Sequence, residues 1–140
     1  MHSSWKHTTA RVFVALVFAS NVLCALQFLF FPYDFTDAYE LQGPTAPYSL
    51  QALGIVFLMW NATYPPVIAR PDRYRVLFVV VLVQQAIGLL GETLLLLQMD
   101  PALGVLMAST IRFIAFDAVG LAILSCAFLL TRNADERLRE

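Results

Sequence analysis

Four long apolar stretches dominate this chain, and each is long enough to cross a lipid bilayer. They cover residues 12–31, 50–69, 76–99 and 102–131. A helical span needs roughly 20 mostly apolar residues to cover about 30 Å of hydrocarbon. Hydrophobic period cannot separate helix from strand inside uniform apolar runs, so length decides. Strands of a membrane barrel need only about 9–11 residues and strict alternation, which these stretches lack. Backbone amides in lipid must be satisfied within the segment, so the spans are helices. Composition agrees: 59% of the 140 residues are hydrophobic and 14% are charged. Soluble domains carry about 45–50% apolar and about 25% charged residues. The formal net charge of −1 leaves no footprint for a nucleic-acid partner. The expected fold is an all-α membrane protein, one domain over residues 1–140, folded as an antiparallel four-helix transmembrane bundle.

Basic residues set the expected orientation. Lys6 and Arg11 precede the first span, Arg70, Arg73 and Arg75 lie between the second and third, and Arg132, Arg137 and Arg139 follow the fourth. Loops 32–49 and 100–101 contain no Lys or Arg; of the nine in the chain, only Arg112 falls inside a span. The positive-inside rule then puts both termini in the cytoplasm and the protein in the cytoplasmic membrane. An even number of spans requires the same. The first span is too long for a signal peptide, and no small-x-small cleavage site follows it. Trp5, Tyr64 and Tyr74 fall near the cytoplasmic ends, where aromatic belts are expected. Residues 34–42 are either an acidic loop or a short interfacial helix ended by Gly43 and Pro44. Asp100-Pro101 reads as a tight turn, with Asp100 the N-cap and Pro101 the first residue of the last helix.

Polar residues inside the spans are the candidates for function. Glu92, Arg112 and Asp117 each cost about 2.5–3.5 kcal/mol to insert if left unpaired, so they are expected to face the bundle interior and find partners. Gln85, Gly88 and Glu92 share one helical face, and Gly91 is expected to widen a glycine patch that admits a neighbouring helix. At 1.5 Å per residue, Glu92 and Arg112 differ in depth by about 5 Å, within side-chain reach of each other. Asp117 is turned about 140° from Arg112 and aligns with Phe113 and Gly120. In the second span, Pro65 and Pro66 cannot donate to the carbonyls of Asn61 and Ala62, so a kink is expected beside the Asn61 amide. Asn21 reaches a similar depth on the first span. Asn61, Gln85, Glu92, Arg112 and Asp117 thus form the expected buried polar cluster.

Several chemistries lack their residues. His2 and His7 both precede the first span, so no histidine lies in the membrane to serve as the usual haem axial ligand. Cys24 and Cys126 fall at different depths and are not expected to pair. Phosphate-binding glycine loops and nucleophile elbows are missing. No cofactor or metal is expected.

The four-span layout over residues 12–131 resembles the small bacterial membrane proteins grouped as DoxX-like. The likeness also lies in Ala52-Leu53-Gly54-Ile55, the short Arg/Pro loop, and Gly88, Gly91 and Glu92 in the third span. A fainter likeness is to the EXPERA-type sterol isomerase and ligand-binding fold, from which no residue is carried over. The resemblance implies a four-helix membrane protein, in some members a partner of redox enzymes.

Three functions fit the sequence. The first is a non-enzymatic protein, either an accessory subunit of a larger membrane complex or a binder of a small hydrophobic molecule. The second is an intramembrane enzyme acting on a lipid-, sterol- or quinone-like substrate by acid/base chemistry. The third is a small proton-coupled transporter working as a homo-oligomer. An enclosed cavity lined by the polar cluster would mark a binder or enzyme, mutually satisfied polar groups an accessory subunit, and polar groups at a subunit interface a transporter.

Overall fold

The computed structural model describes the backbone of residues 2–136 and the side chains of residues 5–131. Arg137 and Arg139 lie outside the described residues, as do the side chains of His2 and Arg132. Among the described residues every regular element is a helix, with no strand. The helices are α1 (His2–Phe30), α2 (Ala46–Asn61), α3 (Tyr64–Ala69), α4 (Arg75–Gln98) and α5 (Gly104–Glu136). Trp5–Phe30, Ala46–Ala69, Arg75–Gln98 and Gly104–Thr131 are each long and apolar enough to cross a membrane. The second of these segments is α2 and α3 taken together.

Each break has a local cause. Pro32 cannot continue α1, and two short 3-10 turns follow at Pro32–Asp34 and Asp37–Tyr39. Pro65 and Pro66 lack the N–H groups that would carry α2 onward, so α2 stops at Asn61 and α3 starts at Tyr64. Arg70 leaves helical geometry (φ −147°, ψ 81°) ahead of Pro71, as residues preceding proline do. Asp100 behaves differently from the expected N-cap. Its Oδ1 accepts from the Ala102 amide at 2.9 Å and its carbonyl accepts from Leu103 N at 2.9 Å, closing a turn before α5 begins at Gly104. The anion at the start of α5 comes instead from the loop after α1: Glu40 Oε2 accepts from Leu106 N at 3.3 Å. Ser109 Oγ donates to Ala38 O at 2.6 Å. Residues 34–42 are therefore neither a loose loop nor one helix, but a folded cap resting on α5.

Packing pairs α1 with α2, α1 with α5 and α4 with α5; the short α3 packs on both α1 and α4. Helices α2 and α4 are not among the closely packed pairs. The α1–α2 approach is tight at Gly54, where a Cβ would stand 2.7 Å from the Ala25 carbonyl oxygen.

Density is uneven along the bundle. A closed apolar core joins Ala10, Val14 and Val17 of α1 to Tyr64 and Val67 of α3, Phe78 and Val81 of α4, and Leu124 and Ala127 of α5. At the opposite end the rings of Phe28, Phe35, Tyr39, Phe57 and Phe113 pack at centroid separations of 5.2–6.3 Å. The polar residues lie between these two layers.

Candidate functional site

A continuous hydrogen-bond chain crosses the bundle and touches all five helices. Asn21 of α1 donates from Nδ2 to Asn61 Oδ1 of α2 at 3.2 Å and to the Tyr64 hydroxyl of α3 at 3.4 Å. Tyr64 donates in turn to Gln85 Oε1 of α4 at 3.2 Å. Gln85 Nε2 donates to Asp117 Oδ1 of α5 at 2.7 Å. Asn61 Nδ2 donates back to Phe57 O of its own helix at 2.8 Å. Donors and acceptors alternate along the chain, so the Tyr64 hydroxyl and the Gln85 amide are used in both senses.

Glycines make the α4–α5 crossing possible, and they do so reciprocally. A Cβ at Gly88 would collide with Asp117 Oδ2; one at Gly120 would stand 2.9 Å from Gln85 Nε2. Each helix thus carries a polar side chain and, three residues later on the same face, a glycine. Gln85 sits over Gly120, and Asp117 sits over Gly88. Gly91, expected to widen this patch, meets nothing within 4 Å and is exposed.

Beside this chain lies a cavity of about 60 Å³, in the space between α2 and α4. A water needs roughly 10–15 Å³ on this measure, so the cavity admits a few heavy atoms and no more. Asn61, Gln85, Glu92 and Asp117 supply polar atoms to its walls, and Phe57, Trp60, Phe113 and Phe116 supply aromatic ones. A more open, nearly wholly apolar groove of about 210 Å³ adjoins it, walled by Cys24, Phe113 and Phe116, which also line the cavity, and by Arg112.

Of the five sequence candidates, four reach the cavity and Arg112 does not. Arg112 is exposed on the groove side and donates from Nη2 to Ser109 Oγ at 2.8 Å. The expected contact with Glu92 is not made. The cause is the 100° step of a helix: with Asp117 and Gly120 turned inward against α4, Arg112 is carried some 140° away from Asp117. Glu92 is left without a cation, and its Oε2 is buried with no hydrogen-bond partner. Tyr39 Oη is the other buried side-chain oxygen without one among the described residues. Burial first, then the neighbouring Cys24 thiol and Glu92 carboxyl, push the Tyr39 phenol pKa up, so it stays a neutral O–H donor.

Tyr64 was the residue the sequence misplaced. Its position before two prolines near the end of an apolar run suggests the membrane boundary, yet it is fully buried at the centre of the hydrogen-bond chain. The signal available was the helix break itself: the turn after Asn61 swings Tyr64 back under α1. Trp60, Phe113 and Phe116 are marked by no motif.

Cys24 and Cys126 are both free thiols, and among the described residues no cluster of three or more His, Cys, Asp or Glu side chains could hold a metal. No protein-family model, curated protein or solved structure matches the chain.

Proposed function

We propose that this is a multi-pass protein of the cytoplasmic membrane whose four spans alternate in direction, with both termini inside, and that it binds a small lipid-soluble molecule by its polar end. Two contacts support the alternation. Arg11 Nε, near the start of α1, reaches Ile68 O near the end of α3 at 2.9 Å, and Arg75 at the start of α4 lies over the Phe128 ring late in α5 at 5.3 Å. The basic residues thus gather at the dense end of the bundle, and the acidic cap of residues 34–40 sits at the other. The DoxX-like layout belongs to the same reading.

The observation that carries the binding function is the buried, unpartnered Glu92 Oε2 in the wall of a cavity shared by four spans. A bundle held together by polar contacts alone would satisfy that oxygen, because an unmade hydrogen bond in a buried site costs about 1–3 kcal/mol. An accessory subunit is expected to show mutually satisfied groups, and a homo-oligomeric transporter to carry them between subunits. Here they enclose space within one chain. Glu92 and Asp117 lining one cavity favours, as a second reading, acid/base chemistry on the bound molecule.

Purification in a mild non-ionic detergent followed by mass spectrometry of the extract tests the binding function. A lipophile in near-stoichiometric amount is expected with the wild-type protein. It should be lost from Cys24→Leu, which fills the junction of cavity and groove. A wild-type extract holding only bulk phospholipid would overturn the proposal.

A further inference from the structure

The cavity is electrostatically one-sided. Its acidic side chains are the two carboxyls of Glu92 and Asp117; the Cys24 thiol and four aromatic rings are among its other walls. Among the described residues the only basic side chain at comparable depth, Arg112, is turned out to the adjoining groove and engaged with Ser109. Asp117 spends Oδ1 on Gln85, and Glu92 keeps a buried oxygen with no donor. Resting on the binding function proposed above, we infer that the bound molecule is a lipophilic amine, held as its ammonium ion. The ammonium sits among Glu92, Asp117 and the rings of Trp60, Phe57, Phe113 and Phe116, and the apolar body lies in the groove.

Three independent features select this chemistry. The first is hydrogen bonding: an ammonium is all donor, and the unmet need in the cavity is for a donor to Glu92 Oε2. The second is the wall: aromatic faces attract a cation through the ring quadrupole, most strongly where water is excluded. The third is size: about 60 Å³ takes a primary ammonium with its first carbon but no ring. The groove of about 210 Å³ exceeds the roughly 150 Å³ that accommodates a benzene-sized body. Arg112 at the groove adds direction. Its charge repels an ammonium resting there, while its aliphatic stem tolerates a hydrocarbon tail. The cation is therefore driven inward and the tail left outward.

The test is equilibrium binding of tritiated dodecylamine to the full-length protein in a neutral maltoside detergent, with empty micelles as blank and unlabelled 1-dodecanol as competitor. The two probes share a tail and differ in the head. Saturable amine binding is expected, with the alcohol weaker by about ten- to a hundred-fold, the range for hydrogen bonds to charged groups. Glu92→Gln should cut amine binding at least ten-fold and leave alcohol binding within two-fold, whereas Glu40→Gln, outside the cavity, should change neither. Equal competition by the alcohol would overturn the ammonium and leave cavity binding standing. No saturable binding of either probe would overturn both. A full amine preference in Glu92→Gln would place the cation elsewhere and also overturn the inference. Should that variant fail to fold, the Trp5→Phe protein leaves Trp60 as the sole indole. Its emission must then shift with the amine-binding midpoint, and an unchanged emission at saturation refutes the placement.

Discussion

Replacing Gly88 by alanine tests the α4–α5 crossing directly. The new Cβ would fall on Asp117 Oδ2, at a separation that no real Cβ tolerates. Asp117 cannot retreat freely, because its Oδ1 is held by Gln85 Nε2 at 2.7 Å and its side chain is short. Either that hydrogen bond breaks or the helices separate. Interhelical hydrogen bonds in membranes average about 0.6 kcal/mol, with a maximum near 1.7, and overpacking a tight contact costs about 1–3 kcal/mol. Against this, alanine is about 1 kcal/mol better than glycine in a helix interior. The net expectation is destabilisation by up to about 2 kcal/mol.

The control lies one turn away. Gly91 is on the same helix and meets nothing within 4 Å, so Gly91→Ala carries only the propensity gain and should be neutral or stabilising by up to about 1 kcal/mol. Both variants are measured by unfolding in mixed micelles with increasing dodecyl sulfate, followed by circular dichroism. The double variant Gly88→Ala/Asp117→Ala completes the cycle. Once the carboxyl is gone the methyl has room, so the pair should cost no more than Asp117→Ala alone. Equal stabilities for Gly88→Ala and Gly91→Ala, or strict additivity in the cycle, would refute the packing of Asp117 over Gly88.

Other contacts make narrower predictions. Tyr64→Phe leaves Gln85 Oε1 buried without its donor and should cost about 1–3 kcal/mol in the same unfolding assay. Arg112→Gln and Glu92→Gln should be additive within about 0.3–0.5 kcal/mol, because the two side chains do not meet; a larger coupling energy would restore the ion pair that the geometry denies. Glu40 holds a left-handed conformation (φ 51°) while its carboxylate meets the amino end of α5. Glu40→Ala loses that contact and keeps the backbone cost, whereas Glu40→Gly loses the contact and relieves it. The glycine variant should therefore be the more stable of the two by about 1 kcal/mol, and the reverse order would count against strain at this position.

The spans were legible because length and hydropathy are local properties, and lipid leaves a backbone few options. Helix ends followed where proline dictates them, at Pro32, Pro65 and Pro71. The end at Asp100 was less readable. Any Asp-Pro suggests a cap and a first turn, but the actual anion for α5 comes from Glu40, more than sixty residues earlier, and no local pattern carries that. Within the spans, the shared face of Gln85, Gly88 and Glu92 was readable as a 3.6-residue period. The partner of each member was not. Depth alone allowed Glu92 to meet Arg112; rotation about α5 decides otherwise, and what fixes that rotation is Gly120 under Gln85. The same spacing of polar residue and glycine occurs at Gln85/Gly88 and Asp117/Gly120, so the reciprocal seat was present in the sequence, hidden until the two helices were known to be neighbours.

That seat also separates the residues that build the site from those free to act in it. Asn21, Asn61, Tyr64, Gln85 and Asp117 each spend polar atoms on one another. At roughly 0.6 kcal/mol per interhelical bond, such a chain contributes only a few kcal/mol, enough to fix register between helices whose outer faces are largely apolar. It contributes nothing towards burying Glu92, whose insertion costs about 2.5–3.5 kcal/mol if unpaired. A change at Glu92 that keeps its volume, such as Glu92→Gln, should therefore leave the unfolding midpoint unchanged or raise it. A fall of more than about 1 kcal/mol would mean that Glu92 helps to hold the bundle, and that its unpartnered oxygen is no guide to a ligand. The expected rise is the stability a chain gains when a group retained for function, at a cost to folding, is removed.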